Sequence, residues 1–396
     1  MGDVNDRVEA EQRVCGDESE YAMNLVKRAV HLTTVHPSSD TRIFHKQAKT
    51  LAGAGYEVIL VAQHDGNVEV EGIRIKGLPE PRNRLERMIG LTWRAFRLAQ
   101  REHADVYHFH DPELLPVGLL LRLTTCAKVI YDVHEDVPEQ VLTKHWIPRA
   151  LRRPAAAAVG FGEKLLARAV DAVVVATEGI AERFVRFDPV VIRNYPSLSM
   201  LPCPAVEERS RHRSQLIYVG GIGRLRGAFE MVQALVRVAQ TCDVRLRLIG
   251  RFEPPGIGEE LSALPGWKRV RMLGWLDPPA VYEELKHASI GLVCLHPAPR
   301  YIVALPVKLF EYMAAGLPVV ASSFPLWKEI VEGNECGLCV DPLDPQAIAA
   351  AIEYLIAHPD KARRMGENGR RAVEEKYNWE RESEKLLALY DKLLSR

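Results

Sequence analysis

Residues 215–227 read QLIYVGGIGRLRG. A short apolar, β-branched run, QLIYVGG (215–221), stops at paired glycines. Gly223 follows, and Arg224 and Arg226 lead into a helical stretch from about Gly227 to Thr241. A strand that ends in a glycine turn and passes into a helix is the repeating unit of a parallel α/β sheet. Ligands of such sheets sit beyond the carboxyl ends of the strands, where backbone amides and a positive helix end can hold phosphate oxygens. The turn is either a phosphate cradle or a plain tight turn, and its two arginines favour the cradle. A dinucleotide fingerprint needs G-x-G-x-x-G. Counted from Gly221 the sixth position is Arg226, which disfavours a nicotinamide dehydrogenase.

The same rhythm extends in both directions. Downstream lie VRLRLIG (244–250), RVRMLGW (269–275), ASIGLVCL (288–295), a helix from about Pro306 to Ala315, and LPVVAS (317–322). Upstream lie AVHLTTV (29–35), EVILVAQ (57–63), ADVYHFH (104–110), AKVIYDVH (127–134) and AVDAVVVAT (169–177). Between the first two, Ile43, Phe44, Ala48, Leu51 and Ala52 mark one face of a helix over Asp40 to Gly55. The period stops at 196–213, PSLSMLPCPAVEERSRHR, which reads as a linker. The fold class expected is α/β, two Rossmann-like doubly wound parallel sheets. The expected organisation is a flexible tail over 1–25, a first domain over 26–205, a second over 206–376, and a helix over 377–396 that crosses back to the first.

The chain has 396 residues, enough for two domains with their own cores. Apolar residues are 47% and charged residues 26%, the mix of a globular protein, which excludes a disordered or fibrous chain. Lys plus Arg and Asp plus Glu both number 52, so no global field draws it to nucleic acid. Seven scattered cysteines point to reduced thiols and a cytoplasmic setting. Cys336-Gly337-Leu338-Cys339 lacks a partner pair and reads as buried thiols on a strand. The best candidate for a membrane span, Leu114 to Leu121, is eight residues long and too short to cross a bilayer.

Candidate site residues follow the strands. In PVKLFEYMAAGLPVV, Lys308 and Glu311 share a helix face: Lys308 can neutralise a phosphate and Glu311 can accept bonds from ribose hydroxyls, or the two form an intrahelical ion pair. Gly250 and Trp275 end the next two strands. His110 and His134 end strands of the first half, where an imidazole can meet a sugar hydroxyl or bond a neighbouring carboxylate. Asp111-Pro112 reads equally as a helix cap or an acceptor contact. No His-x-x-x-His or H-E-x-x-H spacing occurs, so neither a metal nor another cofactor is expected. Residues 82–101 carry six arginines against one acid, with Leu85, Met88, Leu91, Trp93, Phe96 and Leu98 between them. Such a helix fits either a solvated helix packed by its apolar side or a peripheral contact with an anionic membrane surface, and WIPRALRR (146–153) adds a second basic stretch.

Taken together, HPSSDTRI, VYHFHDPELLP, YDVHEDVPE, YVGGIGRLRG and PVKLFEYMAAGLPVVAS with DPLDPQAIAAAI resemble the group 1, family 4 glycosyltransferases of GT-B architecture, from about Arg28 onward. The resemblance implies retaining transfer of a sugar from a nucleotide diphosphate to a hydroxyl acceptor, with the donor mainly on the second domain. Arg226 falls on the family's phosphate-binding cation, Lys308 in the phosphate-facing helix start, and Glu311 on the second glutamate of its E-x7-E motif. His134 falls on the histidine that touches the donor sugar. The implied catalytic set is therefore His134, Arg226 and Lys308. Gly221, Gly223, Arg224, Gly250, Trp275 and Glu311 are the further donor-side candidates, and His110, Asp111, Arg300 and Tyr301 lie on the acceptor or sugar side. Two positions depart from the family. Val303 stands where the first glutamate is usual, with Arg300 or Tyr301 as substitutes, and Gly220-Gly221 replaces a Gly-Arg pair, with Arg224 as its substitute. A sugar-nucleotide epimerase, which needs no acceptor, and a silent nucleotide-binding subunit are the competing readings.

Overall fold

The structure, a computed structural model, describes residues 26–134, 136–143, 147–200 and 214–395. The expected tail over 1–25, Glu135, Trp146 and most of the expected linker lie outside the described residues.

Two sheets form. The first has eight strands, β1 (Arg28–Pro37), β2 (Glu57–Gln63), β3 (Val68–Val70), β4 (Ile73–Leu78), β5 (Val106–Phe109), β6 (Lys128–Val133), β7 (Ala172–Val175) and β8 (Val190–Val191), in the order β3-β4-β2-β1-β5-β6-β7-β8. β1 pairs parallel with β2 and β5, and β2 with β4. The sequence pattern predicts five strands in this part of the chain. Between EVILVAQ and ADVYHFH, where the pattern predicts no strand, the hairpin β3–β4 forms, and Glu71 and Gly72 both have positive φ, 51° and 76°, as in a tight two-residue turn.

The second sheet has six strands, β9 (Gln215–Val219), β10 (Arg245–Ile249), β11 (Val270–Gly274), β12 (Ile290–Val293), β13 (Val319–Ser322) and β14 (Gly337–Val340), in the order β11-β10-β9-β12-β13-β14. All its pairs are parallel. The strand order reverses between β9 and β12, and ligands of doubly wound sheets bind at that switch point. The near-continuous apolar runs of these strands follow from helices covering both faces. Leu216, Tyr218, Leu246 and Leu248 enter one core, and Ile217, Ile249, Val293 and Val319 the other.

By compactness the chain divides into residues up to 130 with 169–171, and residues 131–168 with 172–396. In the first unit, the expected helix after β1 is π-helical over Thr41–Ala48 and α-helical over Lys49–Gly53, and Asp40 caps it through the amides of Arg42 and Ile43. In the second unit, the last helix, Trp379–Leu394, is capped by Asn378. It is held to the segment after β8: Glu382 accepts from the Arg193 amide at 2.9 Å and Glu380 from Ser197 Oγ at 2.7 Å. Cys336 and Cys339 are free thiols beside and on β14, and burial pushes both up to about 12.

Candidate active site

The turn after β9 lies against the turn after β10. Gly220 N–H donates to Ile249 O at 2.9 Å, Ile222 N–H to Arg251 O at 2.8 Å, and Glu253 N–H to Ile222 O at 2.8 Å. So close an approach excludes side chains. Gly250 has φ 142°, and a β-carbon there would overlap the Gly220 carbonyl oxygen. Gly220 has φ 125°, and its own β-carbon would stand 2.8 Å from Lys308 Nζ. The loop glycines thus leave room for a lysine arriving from another element.

That element is the helix Val307–Ala314, preceded by Pro306 and without a side-chain cap. Leu309 N–H donates to Pro306 O at 3.0 Å, which leaves the amides of Val307 and Lys308 for an anion. Lys308 is only 8% exposed, and its Nζ has no hydrogen-bond partner among the described residues. The intrahelical ion pair with Glu311 is not formed. The ammonium lies 3.7 Å from the centre of the Tyr218 ring. Burial, and then the neighbouring Arg226, hold its pKa well below the usual lysine value, against the attraction of Glu311 and Glu253. A buried cation with no counter-charge in bonding distance is costly, and an anionic ligand relieves that cost.

Arg226 stands beside this lysine, one-third exposed, with Nη2 4.0 Å from a Glu253 carboxylate oxygen and its guanidinium 5.5 Å from the Tyr301 ring centre. Arg300 stacks on the same ring at 4.7 Å and donates to the Tyr301 hydroxyl at 3.0 Å. Val303 is exposed after this short turn. Arg224 turns elsewhere: it pairs with Glu260 and lies 4.0 Å over the Phe229 ring. Its expected substitution for the family arginine therefore has a competing partner. Trp275 is exposed beyond β11 with the Arg251 guanidinium 5.5 Å from its ring. Glu311 lies one turn beyond Lys308, near enough to Tyr282 to help raise that phenol's pKa.

Three residues at this site are not among the candidates named from the sequence. Tyr218 supplies the ring under Lys308, and its hydroxyl donates to Gly221 O at 2.7 Å. The Tyr312 hydroxyl accepts from Val219 N–H at 2.8 Å, where the β9–β12 ladder has already ended at Ile217. The Glu253 carboxylate fills the space beside Gly221 where an arginine side chain would begin. Tyr218 and Tyr312 lie within the quoted motifs, but their roles follow only from contacts between distant segments.

In the first unit, the ends of β1 and β5 meet. Asp111 is 2% exposed and precedes Pro112 at the start of a short 3-10 turn, as a cap would, but its side chain bonds none of that turn's amides. Instead its Oδ2 accepts from Thr33 Oγ1 at 2.8 Å and Thr34 N–H at 2.6 Å, and its Oδ1 lies 3.6 Å from His36 Nε2. The cap reading is thus corrected: the carboxylate ties the turn after β1 to the end of β5. His110 is likewise buried, with Nε2 3.0 Å from His31 Nδ1, and it stacks on His108. His134, in the second unit, follows β6 directly and is half-buried.

Residues 213–358 match the family described as glycosyl transferases group 1, and residues 41–194 match the glycosyl transferase 4-like domain. Over 328 residues, 81% of this chain and 77% of the relative, the sequence is 26% identical to the MMP alpha-(1->4)-mannosyltransferase of Mycolicibacterium hassiacum. It is 30% identical to the alpha-maltose-1-phosphate synthase of Mycolicibacterium smegmatis over 74% of this chain and 80% of the relative. The fold superposes on sucrose-phosphate synthase from Thermosynechococcus elongatus with a TM-score of 0.73, covering 93% of this chain and 99% of that one at 22% identity. With two parallel sheets, a switch-point turn lined by cations and matches over both halves, the chain belongs to the group 1 glycosyltransferases of GT-B fold and is a glycosyl-transferring enzyme.

Proposed function

We propose that this enzyme transfers a glycosyl group from a nucleoside diphosphate sugar to an acceptor hydroxyl with retention of configuration. The observation that carries the reading is Lys308, a buried ammonium without a hydrogen-bond partner among the described residues, set at the carboxyl end of β9 beside Arg226 and the amides of Val307 and Lys308. In this reading the diphosphate lies on those three groups, and Glu311 takes the ribose hydroxyls one turn further along. Gly221, Gly223 and Gly250 keep the backbone close enough for amide contacts.

The bond from the anomeric carbon to the diphosphate oxygen breaks, and the negative charge that develops on the leaving oxygen is met by Lys308 and Arg226. The acceptor hydroxyl attacks from the same face, and its proton passes to the departing phosphate oxygen. No protein carboxylate is needed as base, and the two side-chain cations replace a metal ion. Removing one preorganised charge donor of this kind costs ~3 kcal/mol of barrier, about a hundredfold in rate. His134 acts here as a contact to the donor sugar. Val303 in place of a glutamate leaves sugar selection to neighbours such as Arg300 and Tyr301.

The test is a thermal-shift panel with uridine, guanosine, adenosine and thymidine diphosphates, followed by consumption of the matching sugar donor with and without hydroxyl acceptors. The reading expects one diphosphate to stabilise the protein, donor loss that depends on acceptor, and no effect of a chelator. Donor conversion without any acceptor would favour an epimerase instead.

A further inference from the structure

The basic stretch before β5 carries more than a packed helix needs. Glu86–Leu91 is π-helical and continues into the α-helix Thr92–Gln100. Leu91, Thr92, Ala95, Phe96 and Ala99 are buried and suffice to dock it. The apolar residues of the segment are therefore not all on one side. Leu85, Met88, Ile89 and Trp93 are 68%, 56%, 62% and 53% exposed. All four stand exposed along one continuous helical stretch, Leu85 just before Glu86–Leu91 and Trp93 just after it.

The charges around these four are of one sign. Arg82, Arg84, Arg94, Arg97 and Arg101 are all exposed. The one acid of the segment, Glu86, accepts from the Arg82 amide at 2.8 Å, and Arg87 is held by Glu113 at 3.2 Å. An aliphatic and indole centre with a guanidinium rim has few complements. A second copy of the same surface would bring like charges together. A nucleic acid would satisfy the arginines and leave four large apolar side chains in water. An anionic bilayer satisfies both, since its interface takes apolar side chains between headgroups, seats tryptophan at headgroup depth and attracts arginine.

We propose that residues 82–101 form a membrane-docking surface that seats Leu85, Met88, Ile89 and Trp93 in the interface of an anionic lipid bilayer, with Arg82, Arg94 and Arg97 on lipid phosphates. The inference stands apart from the transfer reaction, because docking is measured without donor or acceptor.

The experiment is co-sedimentation of the full chain with vesicles of phosphatidylglycerol and phosphatidylcholine, against vesicles of phosphatidylcholine alone. Binding is expected only to the anionic vesicles and is expected to weaken with salt. Arg94→Glu with Arg97→Glu should lower the partition coefficient about tenfold or more. Ile89→Ser with Trp93→Ser should lower it by a similar factor while leaving the circular dichroism melt unchanged, since both side chains are exposed. Bromine-labelled acyl chains should quench the tryptophan emission of the parent, and Trp93→Phe should remove that quenching. Absence of binding to anionic vesicles would overturn the proposal. So would full binding by the Ile89→Ser, Trp93→Ser variant, or a self-association of the parent that this variant abolishes.

Discussion

Replacing Lys308 by methionine should make the free enzyme more stable while abolishing its hold on a nucleoside diphosphate. In the free protein the ammonium is 8% exposed, has no hydrogen-bond partner among the described residues and lies near Arg226. The penalty for a buried donor left unsatisfied is about 1–3 kcal/mol, and more when the group is charged. The ring of Tyr218 at 3.7 Å returns roughly 0.5–2 kcal/mol of that while the lysine is protonated. Methionine fills most of the lysine stem's volume without a polar end. The net expectation is a gain of about 1 kcal/mol. In a domain of this size each kcal/mol raises the melting temperature by about 2–4 °C. Scanning calorimetry with and without the nucleotide that shifts the parent reads both effects in one experiment: a higher melting point for Lys308→Met, and no further rise with ligand. A variant that melts below the parent, or that keeps the full ligand-induced rise, would refute the reasoning.

Three further expectations rest on the same region. The lowered pKa of Lys308 makes nucleotide binding depend on pH: phosphate favours the protonated amine, so affinity should fall as pH rises through the free-state pKa, and calorimetry in buffers of different ionisation heat should show proton uptake above it. A pH-independent affinity with no proton uptake would count against the role. Gly250→Ala should destabilise by about 1–3 kcal/mol through its φ of 142° and its overlap with the Gly220 carbonyl, seen as a lower urea midpoint. Tyr312→Phe leaves the Val219 N–H without its acceptor beyond the end of the β9–β12 ladder and should cost about 1–3 kcal/mol by the same measurement.

Much of the frame was legible because strands buried on both faces write themselves as apolar runs. QLIYV, RLRLI and IGLV appear within a residue or two of where the expected strands were set. The β3–β4 hairpin was missed because short exposed strands lack such a run, although Glu71-Gly72 held its turn. Gly221, Arg226 and Lys308 could be named as candidates because sequence position after a strand translates into position at the sheet's carboxyl edge. What could not be read was which side chain answers which. Arg224 prefers Glu260 and Phe229, and Asp111 binds the turn after β1 rather than a helix end. Glu253 occupies the room left by Gly221. Those pairings are set by the meeting of distant loops. Likewise the segment 82–101 reads as amphipathic, but only the structure divides its apolar residues into a packed set and an outward set.

The most direct test of the cationic cradle is isothermal titration of nucleoside diphosphates into the parent enzyme, Arg226→Ala and Lys308→Ala, at fixed pH and salt. The account predicts that one diphosphate binds the parent with a 1:1 stoichiometry and that each substitution weakens it by about a hundredfold, the loss of one charged donor. Equal affinity across all three proteins would place the diphosphate elsewhere and contradict the account.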